Sequence, residues 1–152
     1  MAVNEARGRA CGEGVDVTAT RRPLHAPGES APAITQPFRI RADEGIVKYY
    51  ATLSFYEDGK PGHLRFSRNA TGGHNSGMEH GIGDALTELM QHGIPLRPVL
   101  KRYVATKFQP NGLTIGDKHL HTVSSPLDFL ARWLLRELAE RGIEPISEGE
   151  DY

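Results

Sequence analysis

Ile46-Val47-Lys48-Tyr49-Tyr50-Ala51-Thr52-Leu53-Ser54-Phe55-Tyr56-Glu57-Asp58-Gly59-Lys60-Pro61-Gly62-His63-Leu64-Arg65-Phe66-Ser67 is the stretch on which the fold class turns. Val47, Tyr49, Ala51, Leu53 and Phe55 share one face of an extended chain, with Lys48, Tyr50, Thr52 and Ser54 on the other. A period of two over β-branched and aromatic residues predicts a strand. Asp58-Gly59 and Pro61-Gly62 predict a reversal, because glycine supplies the positive φ that a tight turn needs. Alternation resumes at Leu64 and Phe66, so the expected unit is an antiparallel hairpin. Two strands alone are marginal in water, and this pair gains if it meets a partner or a further strand near Phe38 to Ile40.

Downstream, the period lengthens to that of helices. Arg68 to Asn75 is polar, with Gly72-Gly73, and reads as a loop. Ser76-Gly77-Met78-Glu79 has the spacing of a capping box, and the helix expected after it carries Met78, Ile82, Ala85, Leu86, Leu89 and Met90 as its apolar stripe. Gly93 and Pro95 stop it. Gly81 and Gly83 each cost about 1 kcal/mol relative to alanine, or else they let another segment approach closely. Leu96, Val99, Leu100 and Tyr103 predict a second short helix with Pro98 in its first turn. Phe108 to Leu120, with Pro110, Asn111-Gly112 and Gly116-Asp117, is a loop or a wide hairpin. Ser125-Pro126-Leu127-Asp128 reads as cap, first-turn proline and an acid at the positive helix end. The last helix carries Leu127, Leu130, Ala131, Leu134, Leu135 and Leu138 and ends near Gly142. The sum is an α+β domain over residues 38–143, an antiparallel hairpin or small sheet packed against about three helices.

The chain has 152 residues, enough for one domain with a core, and 38% of them are apolar. Residues 1–37 are rich in Pro, Gly, Ala, Ser and Arg without a sustained apolar period, and read as a disordered or loosely docked arm. Residues 144–152 form a short acidic tail with Glu148, Glu150 and Asp151. A net charge of −1 gives no global attraction to nucleic acid or an anionic membrane. No apolar run approaches the roughly 20 residues that span a bilayer, and no apolar signal region opens the chain, so a cytoplasmic location is expected. The single cysteine, Cys11, excludes an internal disulfide and a multi-thiolate metal site within one copy.

Four pieces of the chain stand in an order that resembles a known family. Tyr56-Glu57-Asp58-Gly59-Lys60-Pro61-Gly62 is followed by His92-Gly93-Ile94-Pro95-Leu96, by Lys107-Phe108-Gln109-Pro110-Asn111-Gly112 and by Ser124-Ser125-Pro126-Leu127-Asp128-Phe129-Leu130-Ala131-Arg132-Trp133-Leu134. Together they resemble the TSCPD domain found at the C-terminal end of adenosylcobalamin-dependent ribonucleotide reductases, with Arg21-Arg22-Pro23-Leu24 as a further match to the family's approach segment. The name-giving string is altered: Thr122-Val123-Ser124-Ser125-Pro126-Leu127-Asp128 has serine where the family's string has cysteine. The resemblance implies a module serving deoxyribonucleotide supply for DNA synthesis, with a cobalamin-dependent reductase large chain as partner and adenosylcobalamin bound there. Ribonucleotide reduction needs one thiyl radical and two further thiols, and Cys11 cannot fill three roles. No catalytic residue is therefore assigned here, and the isolated chain is expected not to reduce nucleotides.

Other chemistry is weighed on the residues themselves. The loop Asn69 to Ser76 precedes a helix, whose free N–H groups suit an anion. Gly72 and Gly73 would let a phosphate approach, and Arg65, Arg68, His74 and Ser76 complete a candidate phosphate or nucleotide site. The opposing reading is that the glycines merely make a tight strand-to-helix turn. His74, His80, His119 and His121 invite a metal, yet lack carboxylate or thiolate companions at familiar spacing, and surface or capping roles suit them better. Ser124, Ser125 and Asp128 have the residue types of a hydrolase triad without a nucleophile elbow, and Ser125 is better used as a cap. Arg132-Trp133 point about 100° apart on a helix, which makes Trp133 an amphipathic rim residue. Two further functions remain open: a small nucleotide-binding regulatory domain, and a homodimer whose hairpin edges pair between copies.

Overall fold

The computed structural model describes residues 20–24, 30–43, 45–69 and 74–145. Cys11, Gly72, Gly73 and the acids of the tail, Glu148, Glu150 and Asp151, lie outside the described residues.

Five strands and three helices follow one another as β1 (Ala33–Ala42), β2 (Gly45–Phe55), β3 (Pro61–Arg68), α1 (His74–Gln91), α2 (Arg97–Tyr103), β4 (Gly112–Ile115), β5 (Thr122–Val123) and α3 (Pro126–Glu140). The strands form one antiparallel sheet in the order β3-β2-β1-β4-β5. The fold is α+β, as the alternation of the two hairpin strands implies. The sheet is larger than that hairpin: β1 pairs with β2 from Ala33↔Ser54 to Ala42↔Gly45, and so begins upstream of residue 38. Its alternation is masked by Gln36 and Pro37. Pro37 is tolerated because its missing N–H would point towards β4, beyond the last pair of that ladder, Arg39↔Ile115.

The inward face of the sheet carries Phe38, Ile40, Tyr49, Ala51, Leu53, Leu64 and Phe66, all buried. Phe38 lies at their centre, stacked on Phe129 of α3 with ring centroids 3.6 Å apart and on Tyr49 at 5.1 Å. α3 closes this core with Phe129, Leu130, Trp133, Leu134 and Leu138. Ser125 caps it as the sequence predicts, in an extended conformation, its Oγ accepting the Asp128 N–H at 3.0 Å, with Pro126 in the first turn. Trp133 departs from expectation: it is 1% exposed, a core residue rather than a rim one.

α1 departs further. It begins at His74, so Ser76 lies inside the helix, and Glu79 turns to β3 instead of back to a cap. Met78 is 58% exposed and Ala85 is exposed, whereas Glu79, Leu86, Thr87, Met90 and Gln91 are buried. The buried stripe is thus rotated and partly polar. The reason is its seat on the edge strand β3, whose residues 62, 64 and 66 turn their backbone groups away from β2. Thr87 Oγ1 accepts the Leu64 N–H at 2.9 Å and donates to the Leu64 carbonyl at 3.3 Å, while Gln91 Nε2 donates to the Gly62 carbonyl at 3.0 Å. Gly83 lets the helix come this close: a Cβ there would stand 2.9 Å from the Leu64 carbonyl oxygen, whereas Gly81 faces open space.

Candidate functional site

Arg68 sits on the inward parity of β3, opposite Tyr49 in β2, and a cation on an apolar face needs a counter-ion. Glu79, one turn into α1, supplies it. Its carboxylate receives Arg68 Nε at 2.9 and 3.1 Å and Nη2 at 2.6 Å, and the guanidinium also reaches the Tyr49 hydroxyl at 3.4 Å. The side chain of Glu79 is nearly enclosed and that of Arg68 is about one-fifth exposed. Burial pushes the Tyr49 hydroxyl up to about 12, with Arg68 opposing and Glu79 reinforcing the shift.

Two recesses flank this pair. One, of about 400 Å³, lies between α1 and the Phe108-Gln109 turn, and is walled by Phe66, Met78, Ile82 and Leu127 with the ion pair as its polar element. The other, of about 460 Å³, opens beside Gly45, Ile46 and Asn111. Arg68 and Gln109 border both. The size and largely apolar wall of the first recess suit a small ligand or an anchoring side chain, whereas the second is lined mainly by polar groups.

The residues proposed from sequence do not all converge here. Arg65 lies on the outward face of β3, opposite to Arg68, and is exposed. Arg68 is engaged by Glu79. Ser76 is buried within α1 and His74 heads that helix. The partners that sequence reasoning missed are Tyr49 and Glu79. The available signal was parity: counting by twos from Leu64 and Phe66 puts Arg68 inward, and Glu79 is the first acid of the helix that follows.

A second polar centre holds the TSCPD-like string together. The Asp128 carboxylate accepts the Ala105 N–H at 2.8 Å and the Ser124 N–H at 2.9 Å, and is 3.6 Å from Arg132. It joins the end of α2, where Ala105 has φ +62°, to the start of α3. These bonds, with Ser125 used as a cap, give the candidate triad residues structural tasks. Arg132 itself donates to the Thr122 carbonyl at 3.2 Å. Asp117 anchors the β4–β5 turn: it pairs with Arg136 and accepts the His119 and Leu120 N–H groups at 2.8 and 3.0 Å. Burial alone would raise its carboxyl, but these donors hold it below the usual carboxylate range. His119 and His121 lie within that turn, outside β5, and among the described residues no three His, Cys, Asp or Glu side chains gather as a metal site would require.

The segment 20–24 is docked. Arg21 pairs with Asp58 at 2.8 Å and lies 3.9 Å over the Tyr56 ring, whose hydroxyl donates to the Arg22 carbonyl at 2.6 Å; Leu24 is buried. The family-like Tyr56 to Gly62 turn is thus the cradle for this approach segment.

Comparison with known proteins agrees with this arrangement. The TSCPD domain matches residues 22–138. A vitamin B12-dependent ribonucleotide reductase of Rhodopirellula baltica is 30% identical over 118 residues, which are 77% of this chain and 11% of the relative. The enzyme of the same name from Agrobacterium fabrum is 26% identical over 106 residues, 70% of this chain and 8% of its own length. That of Streptantibioticus cattleyicolor is 28% identical over 103 residues, 68% and 16%. The chain therefore spans only about a tenth of the length of the first curated relatives it matches. No solved structure matches it significantly. With its cap and its Asp128 latch inside the matched span, and that span opening within the docked approach segment, the chain belongs to the TSCPD domain family, in the branch related to vitamin B12-dependent ribonucleotide reductases.

Proposed function

We propose that this domain serves a vitamin B12-dependent ribonucleoside-diphosphate reductase as an accessory or detached module in the cytoplasm, in the supply of deoxyribonucleotides for DNA synthesis, without catalytic cysteines of its own. The observation that carries the reading is the uneven match: most of this chain aligns with a small part of each reductase. Its single cysteine, Cys11, precedes the matched span and cannot supply three thiols.

The test is reconstitution. Mixed with the cobalamin-dependent reductase of the same cells at low salt, the chain is expected to co-elute with the large subunit; separate elution at every ratio would sink the reading. Alone, with adenosylcobalamin, a dithiol and CDP, it is expected to form no deoxy-CDP, and product formation would overturn the assignment of no catalytic role.

A second reading, a small nucleotide-binding regulatory domain, is favoured by the recess beside α1. A nucleotide at about 100 times its Kd should add about 2.7 kcal/mol of stability. No thermal shift across a nucleotide panel removes that reading.

A further inference from the structure

Among the described residues no helix covers the outer face of the sheet, since all three lie on the other side or along the β3 edge. Its outward positions follow from the register. Ile115 of β4, Arg39 of β1 and Lys48 of β2 form one row across three strands; Leu113, Arg41 and Ile46 occupy the next positions on the same face. Arg65 extends the cationic character onto β3, opposite Thr52. Ile46, Leu113 and Ile115 are 55%, 57% and 50% exposed, three of the five large apolar side chains so exposed among the described residues. Every strongly charged strand residue on this face is a cation, and Arg39, Arg41 and Arg65 make no ion pair among the described residues.

A face that served only to meet water would intersperse both signs of charge and keep aliphatic side chains scattered. Here the aliphatic side chains and the cations share neighbouring rows. We propose that this face docks a protein segment that presents carboxylates around an aliphatic anchor: the carboxylates meet Arg39, Arg41 and Lys48, and the anchor lies against Ile46, Leu113 and Ile115. Arginine's planar fork favours a carboxylate partner. A single-stranded nucleic acid would ask for successive aromatic platforms. Among the described residues the face offers one half-buried ring, Tyr50, with Lys48 Nζ already 5.0 Å from its centroid. A second copy of the chain would set these cations against each other. The inference is independent of the reductase reading, because it names the chemistry of the partner and not its identity.

The test uses the full chain and a labelled peptide alternating Glu with Leu, its Lys-for-Glu counterpart and labelled oligo-dT, followed by fluorescence anisotropy. The acidic peptide is expected to bind at low salt and to weaken as salt rises, because close charge pairs dominate such contacts. R39E/R41E is expected to weaken it about tenfold or more, and L113S/I115S to weaken it without changing the salt slope. K101E/R102E, a charge-matched double reversal on α2, should leave it unchanged; circular dichroism confirms that each variant is folded. Equal binding of the acidic and basic peptides, tighter binding of oligo-dT, loss of binding in K101E/R102E as large as in R39E/R41E, or a dimer mass by light scattering that R39E/R41E abolishes would each overturn the proposal.

Discussion

α1 and α3 both cover the sheet, yet they are held by different forces. α3 buries an aromatic and aliphatic face, with Phe129 stacked on Phe38 and Trp133 enclosed. α1 places Glu79, Thr87 and Gln91 on its buried side, each bonded to β3. Apolar burial is strong and non-directional, whereas these polar contacts are individually modest but demand one register. The difference teaches that α3 supplies stability and α1 supplies alignment, and it sets an order of mutational costs.

The largest effect is expected at the centre of the aromatic cluster. Phe129→Ala should cost about 3–5 kcal/mol in urea unfolding, since it removes a fully buried ring and leaves a cavity. A loss below about 1 kcal/mol would mean that α3 does not carry the core. Glu79→Ala comes next, at about 2–3 kcal/mol, because it strands the Arg68 guanidinium in a mostly enclosed place. The double variant Glu79→Leu/Arg68→Met should recover much of that loss, and a double as unstable as the single would contradict the view that α1's ion pair specifies position more than it stabilises.

Alkaline pH probes the same corner. The Tyr49 hydroxyl is held at about 12, so the unfolded chain releases its proton first, near pH 10, and the folded state binds more protons between the two values. Stability is therefore fully present below pH 10 and falls as pH rises from about 10 to 12, by on the order of 2 kcal/mol. Tyr49→Phe should flatten that limb of the pH–stability curve; an unchanged slope would assign it elsewhere. Thr87→Val, which removes the bond to Leu64 while keeping the shape, should cost about 1 kcal/mol and speed hydrogen exchange at Leu64. The smallest effect is at Met78, where substitution by serine should stay within about 0.5 kcal/mol, since the side chain is mostly in water.

The same contrast explains what could be read from the sequence. β2, β3 and α3 were legible because each has one apolar face at the right period, and the Ser125 cap was legible because it is local. The extra strands were harder. β1 hides its period behind Gln36 and Pro37, and β4 and β5 are too short, at Gly112–Ile115 and Thr122–Val123, to show one. Gly116 illustrates why the turn between them belongs where it does: its φ is +124°, and a Cβ would stand 2.6 Å from the Pro37 carbonyl oxygen, a contact made across the sheet. The seat of α1 is a strand's own backbone, so its apolar stripe does not mark its buried side, and Met78 and Ala85, which fit the stripe, face solvent. The candidate site is half legible: the parity of β3 separates Arg68 from Arg65, but the tie of Arg68 to Glu79 depends on where α1 is seated against the sheet, which no local pattern carries.

The hydrogen bonds from α1 to Gly62 and Leu64 have a consequence for how this protein keeps company with itself. A β-strand with unoccupied amides is a template on which fibrils grow, one chain extending the sheet of the next. Here Thr87 and Gln91 engage the Leu64 amide and carbonyl and the Gly62 carbonyl at the middle of the long outer strand, and the opposite margin of the sheet, Thr122–Val123, is too brief to seed such growth. Loosening α1 would cost little energy at any one contact, but it would expose the margin along which many copies could join irreversibly.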